Sequence, residues 1–472
     1  AGVPEAWYNL GLAHWEGSGT PQNREEAARC FRQAADKGVP EAAYRLGAAI
    51  ARQDVQGDDT EAESFLKQAA EAGVAEANLA LAELYVRGIN GKRDEAAAVP
   101  YFLQYAKDGN ADAACALAEL WLSGYRAGCT ADTLRDLLTR AADKSDRAKM
   151  YSALLPGTPK QDAADCLVKL TTSTDKHVAA DALAYYGLLC DSTDKNTARE
   201  NYEAAASKGS PLGEALVAYT ELMNTPDGTE AADPLRILTR SADSRTPYRP
   251  MLLSALGEVY LKGKGTARDA EKGKELLEQA AAAGELKALH MLAKGYMAGA
   301  DGLPQDTAKA IETYRRAAEA GSLPAATFLG RHYFAGTDGQ PDYAQAEPYL
   351  LTSATAGDAT SAYQYARCLL VKENPDHATA AQWVEKAVDA GVPEAMLLLC
   401  QLCEAGQGVQ QDAARAQSLL ERYTEAVGKQ QDPAAATAWD KLGVMYDQGV
   451  GTEADKQKAK DCWYKAADAK DP

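Results

Sequence analysis

Two cysteines spaced three positions apart are the first candidates for chemistry in this sequence. Cys400-x-x-Cys403 has the spacing of a redox pair or of half a zinc site. A zinc site needs further ligands, and no second cysteine pair or histidine lies nearby in the sequence. Both cysteines fall in the middle of an apolar pattern with helical period. We therefore interpret the two thiols as small apolar groups of a helical core.

Serine and lysine occur twice at S-x-x-K spacing, as Ser173 with Lys176 and as Ser192 with Lys195. In penicillin-recognising enzymes this motif supplies the nucleophilic serine, and it is accompanied by S-D-N and K-T-G motifs. Neither companion motif is present, and H-E-x-x-H and G-x-S-x-G are also absent from the sequence. We interpret the two matches as chance and predict a protein that is not an enzyme and needs no cofactor.

Four glycine-rich stretches resemble phosphate-binding loops at first sight. They lie at 17–19, 263–265, 406–408 and 449–451. A phosphate loop follows a strand and carries either Gly-Lys-Ser/Thr or a complete G-x-G-x-x-G. These stretches instead recur between two helical patterns, which is typical of turns that join helices.

Charge and length exclude several classes of partner. The chain has 472 residues, with 50 Lys and Arg against 68 Asp and Glu, and its net charge is -18. Such an acidic surface repels phosphate backbones and anionic lipids. No apolar run approaches the roughly 20 residues of a membrane-spanning helix. The five histidines are scattered singly, so neither nucleic-acid binding, membrane insertion nor a histidine-rich metal site is predicted.

The sequence repeats itself along its whole length. The segment Gly-Val-Pro-Glu-Ala begins at residues 2, 38 and 391, and glycine closes further segments at similar intervals. These intervals define about thirteen units of roughly 33 to 38 residues, which is the period of helical solenoid repeats. No linker separates the units, so we predict a single continuous array over residues 1–472.

Each unit carries two apolar stripes of helical period, which lie at 6–14 and 27–35 in the first unit. A small residue recurs at one position of the first helix, here called the glycine slot: Gly11, Gly47, Gly187, Gly257, Gly330 and Gly443, with Ala82, Ala118, Ala293 and Ala366 as substitutes. A large residue follows three positions later: Tyr85, Trp121, Tyr260, Tyr296, Tyr333 and Tyr446. Small residues allow two helices to approach closely, and period-2 alternation is absent, so the predicted fold is all-α.

Residues 329–336, Leu-Gly-Arg-His-Tyr-Phe-Ala-Gly, resemble the first helix of a Sel-one-like repeat, a longer relative of the tetratricopeptide repeat. The resemblance extends over essentially the whole chain and weakens near 144–176 and 210–247, where prolines interrupt degenerate units. It implies an α/α solenoid, wound as a right-handed superhelix, with a non-enzymatic role in holding partners. Some relatives staple each repeat with a disulfide, but the matching positions here are alanine; Cys115 and Cys129 are the one pair within a unit that could still meet.

In tetratricopeptide geometry, first helices line the concave face of the superhelix. The positions three before and one or four after the glycine slot then point into that groove. These positions select two anchor zones for an extended or helical protein segment: Tyr8, Leu12, Trp15 and Tyr44 in the first zone, and His290, Lys294, Met297, Arg331, Phe334, Tyr363 and Arg367 in the second. Aromatic and arginine side chains are frequent interface anchors, although each could instead pack against a neighbouring helix.

Three functions remain open at this stage. A protein-interaction scaffold is favoured by the continuous repeats, whereas a glycan- or peptidoglycan-binding module has only the Tyr and Trp content in its favour. A weak penicillin-binding hydrolase is the third. The chain begins at a repeat boundary, which suggests that an upstream segment was removed or not built. The resemblance implies a bacterial envelope or secreted location, with the cytoplasm as alternative, and self-association through the end repeats remains open.

Overall fold

The computed structural model describes residues 3–191, 193–226, 228–244, 246–300, 302–336, 339–427 and 433–468. Twenty-six α-helices and no strands occur in these ranges, which confirms the all-α helix-pair fold. None of these helices is long and apolar enough to cross a membrane. The chain forms two compact units, Ala1–Gln305 and Asp306–Pro472, which are described separately below as unit 1 and unit 2.

Unit 1 contains seventeen helices, in which odd-numbered helices are the first and even-numbered helices the second of each repeat. Their bounds are α1 Pro4–Glu16, α2 Arg24–Ala35, α3 Pro40–Ala51, α4 Asp59–Glu71, α5 Ala75–Arg87, α6 Glu95–Lys107, α7 Ala111–Leu122, α8 Ala131–Ala141, α9 Asp146–Leu154, α10 Lys160–Leu170, α11 Lys176–Cys190, α12 Lys195–Ser207, α13 Pro211–Asn224, α14 Ala232–Asp243, α15 Arg249–Lys262, α16 Ala270–Ala282 and α17 Leu286–Ala298.

Unit 2 continues the same alternation of helices. The helices of unit 2 are α18 Thr307–Glu319, α19 Leu323–Ala335, α20 Tyr343–Thr355, α21 Ala359–Leu370, α22 His377–Asp389, α23 Pro393–Ala405, α24 Ala413–Val427, α25 Pro433–Gln448 and α26 Lys456–Asp468. In both units the core is formed by small and branched side chains between successive helices.

Aspartates and glycines occupy several of the helix ends. Asp269 and Asp306 precede second helices, and their carboxylates accept the backbone N–H groups of Lys272 at 3.0 Å and Lys309 at 2.9 Å. These bonds satisfy donors that the first helical turn leaves without a partner. The repeat-closing Gly38 has a φ of 87°, a conformation that glycine adopts without the steric cost of a side chain.

At the glycine slot the second helix of a repeat leaves no room for a side chain on the first helix. A Cβ atom on Gly11 would lie 2.6 Å from the Phe31 ring of α2, and one on Gly443 would lie 2.5 Å from Trp463 Nε1 of α26. Real Cβ atoms do not approach other atoms this closely, so a larger residue would separate the helices. The small residue therefore makes room for a large side chain of the second helix.

The large residue after the glycine slot explains why tyrosine outnumbers phenylalanine, 23 to 5. Tyr85 of α5 donates its hydroxyl to Glu63 of the preceding helix α4 at 2.6 Å, and Tyr296 of α17 donates to Glu278 of α16 at 3.2 Å. Tyr446 of α25 makes the same kind of bond with a glutamate of α24. The ring fills the core while the hydroxyl joins a repeat to its predecessor, which phenylalanine could not do.

The two stretches with weak resemblance still form helices. The first contains α9, which is only nine residues long, and α10; Pro156 and Pro159 lie between them. The second contains α13 and α14, with Pro234 in the first turn of α14, where a missing N–H group costs little. Only α9 is markedly short, whereas α13 and α14 of the later stretch have 14 and 12 residues.

Unit 1 also contains a contact between repeats that are distant in the sequence. Gly124 follows α7 and has a φ of 105°; a Cβ atom there would lie 2.3 Å from the Cβ of Ala283, which follows α16. Next to this contact, the Arg126 guanidinium lies over the Trp121 ring, 4.4 Å from its centroid, and against Gly284. Both stretches of weak resemblance lie between these contacting points in the sequence.

Candidate partner-binding surface

The aromatic residues of the first predicted zone pack onto their own repeat. Tyr8 and Trp15 of α1 lie on either side of Phe31 of α2, with ring centroids 6.0 and 6.3 Å from the Phe31 ring. Trp15 also lies under the Arg24 guanidinium, 5.2 Å from its ring centroid. Both side chains remain half-buried, so their contacts belong to the interior of a helix pair as much as to a surface.

The other two residues of the first zone are also part of the apolar packing. Leu12 of α1 and Tyr44 of α3 are half-buried and pack against the core of unit 1. No ring contact joins Tyr44 to Tyr8 or Trp15 within the described residues. The structure therefore does not assemble these four side chains into one aromatic cluster.

His290, Lys294 and Met297 of the second zone lie on α17, in unit 1. Burial, aided by the positive charge of Lys294, lowers the pKa of His290. Lys294 is exposed, whereas His290 and Met297 are half-buried. The Met297 carbonyl accepts a hydrogen bond from Gln305 at 3.3 Å, which ties the end of α17 to the following loop.

The remaining residues of the second zone come together in unit 2. The Arg367 guanidinium of α21 lies 5.2 Å from the ring centroid of Phe334, which belongs to the neighbouring first helix α19. It also lies 6.0 Å from the ring centroid of Tyr363, one turn earlier on its own helix. We call Phe334, Tyr363 and Arg367 the Arg367 cluster. All three side chains are half-buried.

The two basic residues of this zone differ in their partners. Arg331 of α19 donates from one nitrogen to both carboxylate oxygens of Asp358, at 3.1 and 3.0 Å. Within the described residues, Arg367 makes no hydrogen bond and no ion pair, so its contacts there are with aromatic rings. Phe334 is held further by an edge-on contact with Tyr343, whose ring centroid is 5.5 Å away.

A charged network that the sequence did not predict lies on the first helices of unit 1. Glu258 of α15 accepts hydrogen bonds from Tyr219 of α13 at 2.7 Å, from Lys262 at 2.5 Å and from Lys287 of α17 at 2.6 Å. Lys287 also donates to the Tyr219 hydroxyl at 2.9 Å. We call these four residues the Glu258 network. The Glu258 side chain is only 10% exposed.

Electrostatics in the Glu258 network favour the charged carboxylate. Burial alone would raise the pKa of Glu258, but the charge of Lys287 and the hydrogen bonds from Lys262, Lys287 and Tyr219 lower it to about 2. Burial would likewise lower the pKa of Lys287, yet Tyr219 and Glu258 raise it. The negative charge of the buried Glu258 carboxylate is therefore compensated within the protein.

A second compensated carboxylate lies beside a cavity of unit 1. Glu119 of α7 pairs with Arg147 of α9 and accepts a hydrogen bond from the Tyr151 hydroxyl at 2.9 Å. The cavity, of about 710 Å³, lies between α7 and the start of α15, and Arg249 contributes to the other wall. Its lining mixes basic, acidic and apolar side chains, so no single ligand charge is indicated.

The pattern that selected the second zone could have found these residues too. Glu119, Tyr219 and Glu258 each lie one position after a small residue, Ala118, Ala218 and Gly257 respectively. Applying that position to every repeat would have included them. Lys287 lies outside the three selected positions, so its role depends on contacts between neighbouring helices that the register alone does not predict.

The structure places most of the residues whose types and spacing suggested chemistry. All nine cysteines are free, including Cys115 and Cys129. Cys400 and Cys403 are buried, as predicted, and burial raises the pKa of Cys400 to about 11. The Ser173 hydroxyl donates to Asp146 at 2.6 Å, whereas Ser192 lies outside the described residues. No group of three or more His, Cys, Asp and Glu in the described ranges could hold a metal ion.

Alternating helix pairs with a small-residue slot define an α/α solenoid repeat protein. The Sel1 repeat profile matches ten segments, at 4–39, 40–74, 75–110, 177–210, 252–285, 286–322, 323–358, 359–392, 393–422 and 440–471. The chain therefore belongs to the Sel1 repeat family. Both stretches that were predicted to be degenerate repeats lie mainly in ranges that the profile does not match. Solenoids of this family are typically non-catalytic, and their repeats generally mediate interactions between proteins.

Individual relatives resemble parts of the chain. The Sel1-repeat-containing protein YjcO of Escherichia coli K12 is 33% identical over 126 residues, which cover 26% of this chain and 52% of that protein. The chain thus spans about half the length of this curated relative.

Solved structures of the same kind are more distant in sequence. A protective antigen of uropathogenic E. coli with an SLR fold is 22% identical, with 99% of this chain and 84% of that chain covered and a TM-score of 0.39. A Sel1 repeat protein of Oxalobacter formigenes is 23% identical, with 54% and 96% covered and a TM-score of 0.32.

Proposed function

We propose that this protein is a non-enzymatic scaffold that binds a segment of a partner protein along the first helices of unit 2. The Arg367 cluster carries the proposal because it combines two aromatic rings and an arginine on adjacent first helices. Tyr and Arg are among the residues that contribute most to binding at protein interfaces, and such residues act best when packing holds them in place.

The packing around the cluster supports this role. Phe334 and Tyr363 contact the core of unit 2 on one side and remain half-exposed on the other. An anchor of this kind loses little side-chain entropy when a partner binds. By contrast, Tyr8 and Trp15 both pack on Phe31 within the first repeat, so the first zone is the weaker candidate.

The proposal is tested by photo-crosslinking from the cluster. Tyr363→p-benzoylphenylalanine keeps an aromatic ring on the first-helix surface, and Leu351→p-benzoylphenylalanine places the same probe on an exposed position of the second helix α20. We expect the probe at position 363 to crosslink a protein in lysate of the native host, and the probe at position 351 to give no such product.

A crosslink that reflects binding, and not random collision, should depend on the other residues of the Arg367 cluster. Phe334→Ala, combined with the probe at position 363, is expected to abolish the crosslink. Tyr464→Ala, which removes a 64% exposed aromatic side chain of α26, is expected to leave it unchanged. Equal crosslinking at both probe positions, a product that survives Phe334→Ala in a folded protein, or a carbohydrate as the crosslinked species would contradict the proposal.

A further inference from the structure

We propose, building on the function above, that the Arg367 cluster recognises an acidic side chain of the partner segment, next to an apolar side chain that contacts Phe334. The basic residues on the first helices of unit 2 differ in their ion-pair partners, and this difference indicates the chemistry of the partner segment.

The Lys and Arg residues on the first helices of unit 2 are Arg331, Arg367 and Lys441 in the described ranges, and His332 follows Arg331 on α19. Arg331 pairs with Asp358 at 3.0 Å, and Lys441 of α25 pairs with Glu404 of α23 at 2.5 Å. Arg367 differs because no described carboxylate lies within ion-pair distance and none of its donors has a described acceptor. Among the described residues, Arg367 is therefore a positive charge of this surface that has no carboxylate partner.

The contacts with the two aromatic rings favour binding of a carboxylate by the Arg367 guanidinium. A guanidinium presents its donors in a planar fork that matches the two oxygens of Asp or Glu. Contacts with Phe334 and Tyr363 restrict the long side chain without using any of those donors. Restricting the side chain beforehand lowers the entropy cost of forming a two-pronged hydrogen bond with the partner.

The net charge of -18 does not oppose such local recognition. At physiological ionic strength, exposed charges farther apart than about 8 Å are largely screened from each other. The nearest charged group therefore dominates at contact distance. For the Arg367 cluster that group is the guanidinium itself, and an apolar neighbour of the acidic residue would cover the exposed edge of Phe334.

The test uses random twelve-residue peptides displayed on phage and selected on the full-length protein, with a folded Phe334→Ala/Tyr363→Ala variant for counter-selection. The peptides are displayed with their C-terminus fused to the coat protein, so no free terminal carboxylate is available. We expect the enriched peptides to share an Asp or Glu beside an apolar residue.

A double-mutant cycle then measures the contact. Changing the shared acid to its amide in a synthetic, C-terminally amidated peptide should weaken binding to the wild type about tenfold, which corresponds to about 1.4 kcal/mol. Arg367→Gln should weaken binding of the acidic peptide to the same extent, and the two changes together should cost no more than either alone. Arg367→Lys is expected to restore part of the affinity, and Lys441→Gln, which alters a paired cation on α25, to change it less than twofold.

The outcomes separate this inference from the proposed function. Peptides that need Phe334 and Tyr363 but are neutral, or bind Arg367→Gln as well as the wild type, would overturn the inference and leave the scaffold function standing. Peptides that bind only when phosphorylated or with a free C-terminus would also overturn it. If no enriched peptide depends on Phe334 and Tyr363, the proposed function itself fails.

Discussion

Two charged residues on first helices, Glu258 in unit 1 and Arg367 in unit 2, differ in the partners that surround them. In unit 1, Glu258 accepts three hydrogen bonds from Tyr219, Lys262 and Lys287, and its carboxylate is almost fully buried. In unit 2, Arg367 contacts two rings and donates to no described acceptor. The paired carboxylate of Glu258 joins neighbouring repeats, whereas the Arg367 guanidinium, with no carboxylate partner among the described residues, is the group that we propose binds another molecule.

The largest expected effect comes from breaking the Glu258 network. Glu258→Gln keeps the size of the side chain but leaves Lys262 and Lys287 without their carboxylate, so we expect a loss of about 3 kcal/mol in the free energy of unfolding. Urea denaturation measures this loss of stability. Hydrogen exchange of the α15 amides identifies which unfolding transition belongs to unit 1. Glu404→Gln is the control, because the Glu404 and Lys441 side chains are 34% and 39% exposed and such pairs contribute less than about 1 kcal/mol.

A pH titration tests the same network without changing its shape. The pKa of Glu258 is about 2 in the folded protein against an ordinary value of 4.5. A depressed pKa stabilises the fold above pH 4.5, and this contribution, at most about 3 kcal/mol, is lost as pH falls from 4.5 towards 2. The stability difference between wild type and Glu258→Gln should shrink over that range. A difference independent of pH between 5 and 2.5 would show that the carboxylate charge contributes little.

A smaller loss of folding stability is expected when a single hydrogen bond between two neighbouring repeats is removed. Tyr85→Phe removes the donor to Glu63, while Glu63 keeps its ion pair with Lys67 at 2.7 Å. We expect about 1 kcal/mol of destabilisation in urea denaturation. Tyr101→Phe is the matched control, because the Tyr101 ring stacks on Tyr85 at 5.9 Å and its hydroxyl makes no hydrogen bond within the described residues. Equal losses from both variants would refute a role for the hydroxyl of Tyr85.

The smallest effect on stability is expected at Arg367. Arg367→Gln removes contacts between a cation and two half-exposed rings, which contribute about 0.5 to 1 kcal/mol, and leaves no carboxylate without its partner. Thermal unfolding should therefore change little, even though the same substitution is expected to weaken binding of an acidic peptide about tenfold. A destabilisation comparable to that of Glu258→Gln would mean that Arg367 has a structural role, and the contrast between the two units would disappear.

The sequence predicted the repeat plan well because that plan depends on local patterns. Helix pairs, the Asp269 and Asp306 caps and the glycine slot follow from periodicity and from residues a few positions apart. The register also selected Phe334, Tyr363 and Arg367, although it could not reveal that Arg367 has no carboxylate partner among the described residues. Packing of Tyr8 and Trp15 on a neighbouring helix was left open, and the sequence could not single out Phe31 as their contact because the size of the facing side chain varies among repeats.

The contact between Gly124 and Ala283 has a consequence for the folding rate. A solenoid with contacts only between adjacent repeats has low contact order and can start folding at any repeat. The Gly124 contact instead joins the fourth repeat to the eighth, so unit 1 must close a long loop before the contact forms, at an entropic cost that grows with loop length. Refolding of unit 1 should therefore include a slower step, which a bulky side chain at position 124 would remove by preventing the closure.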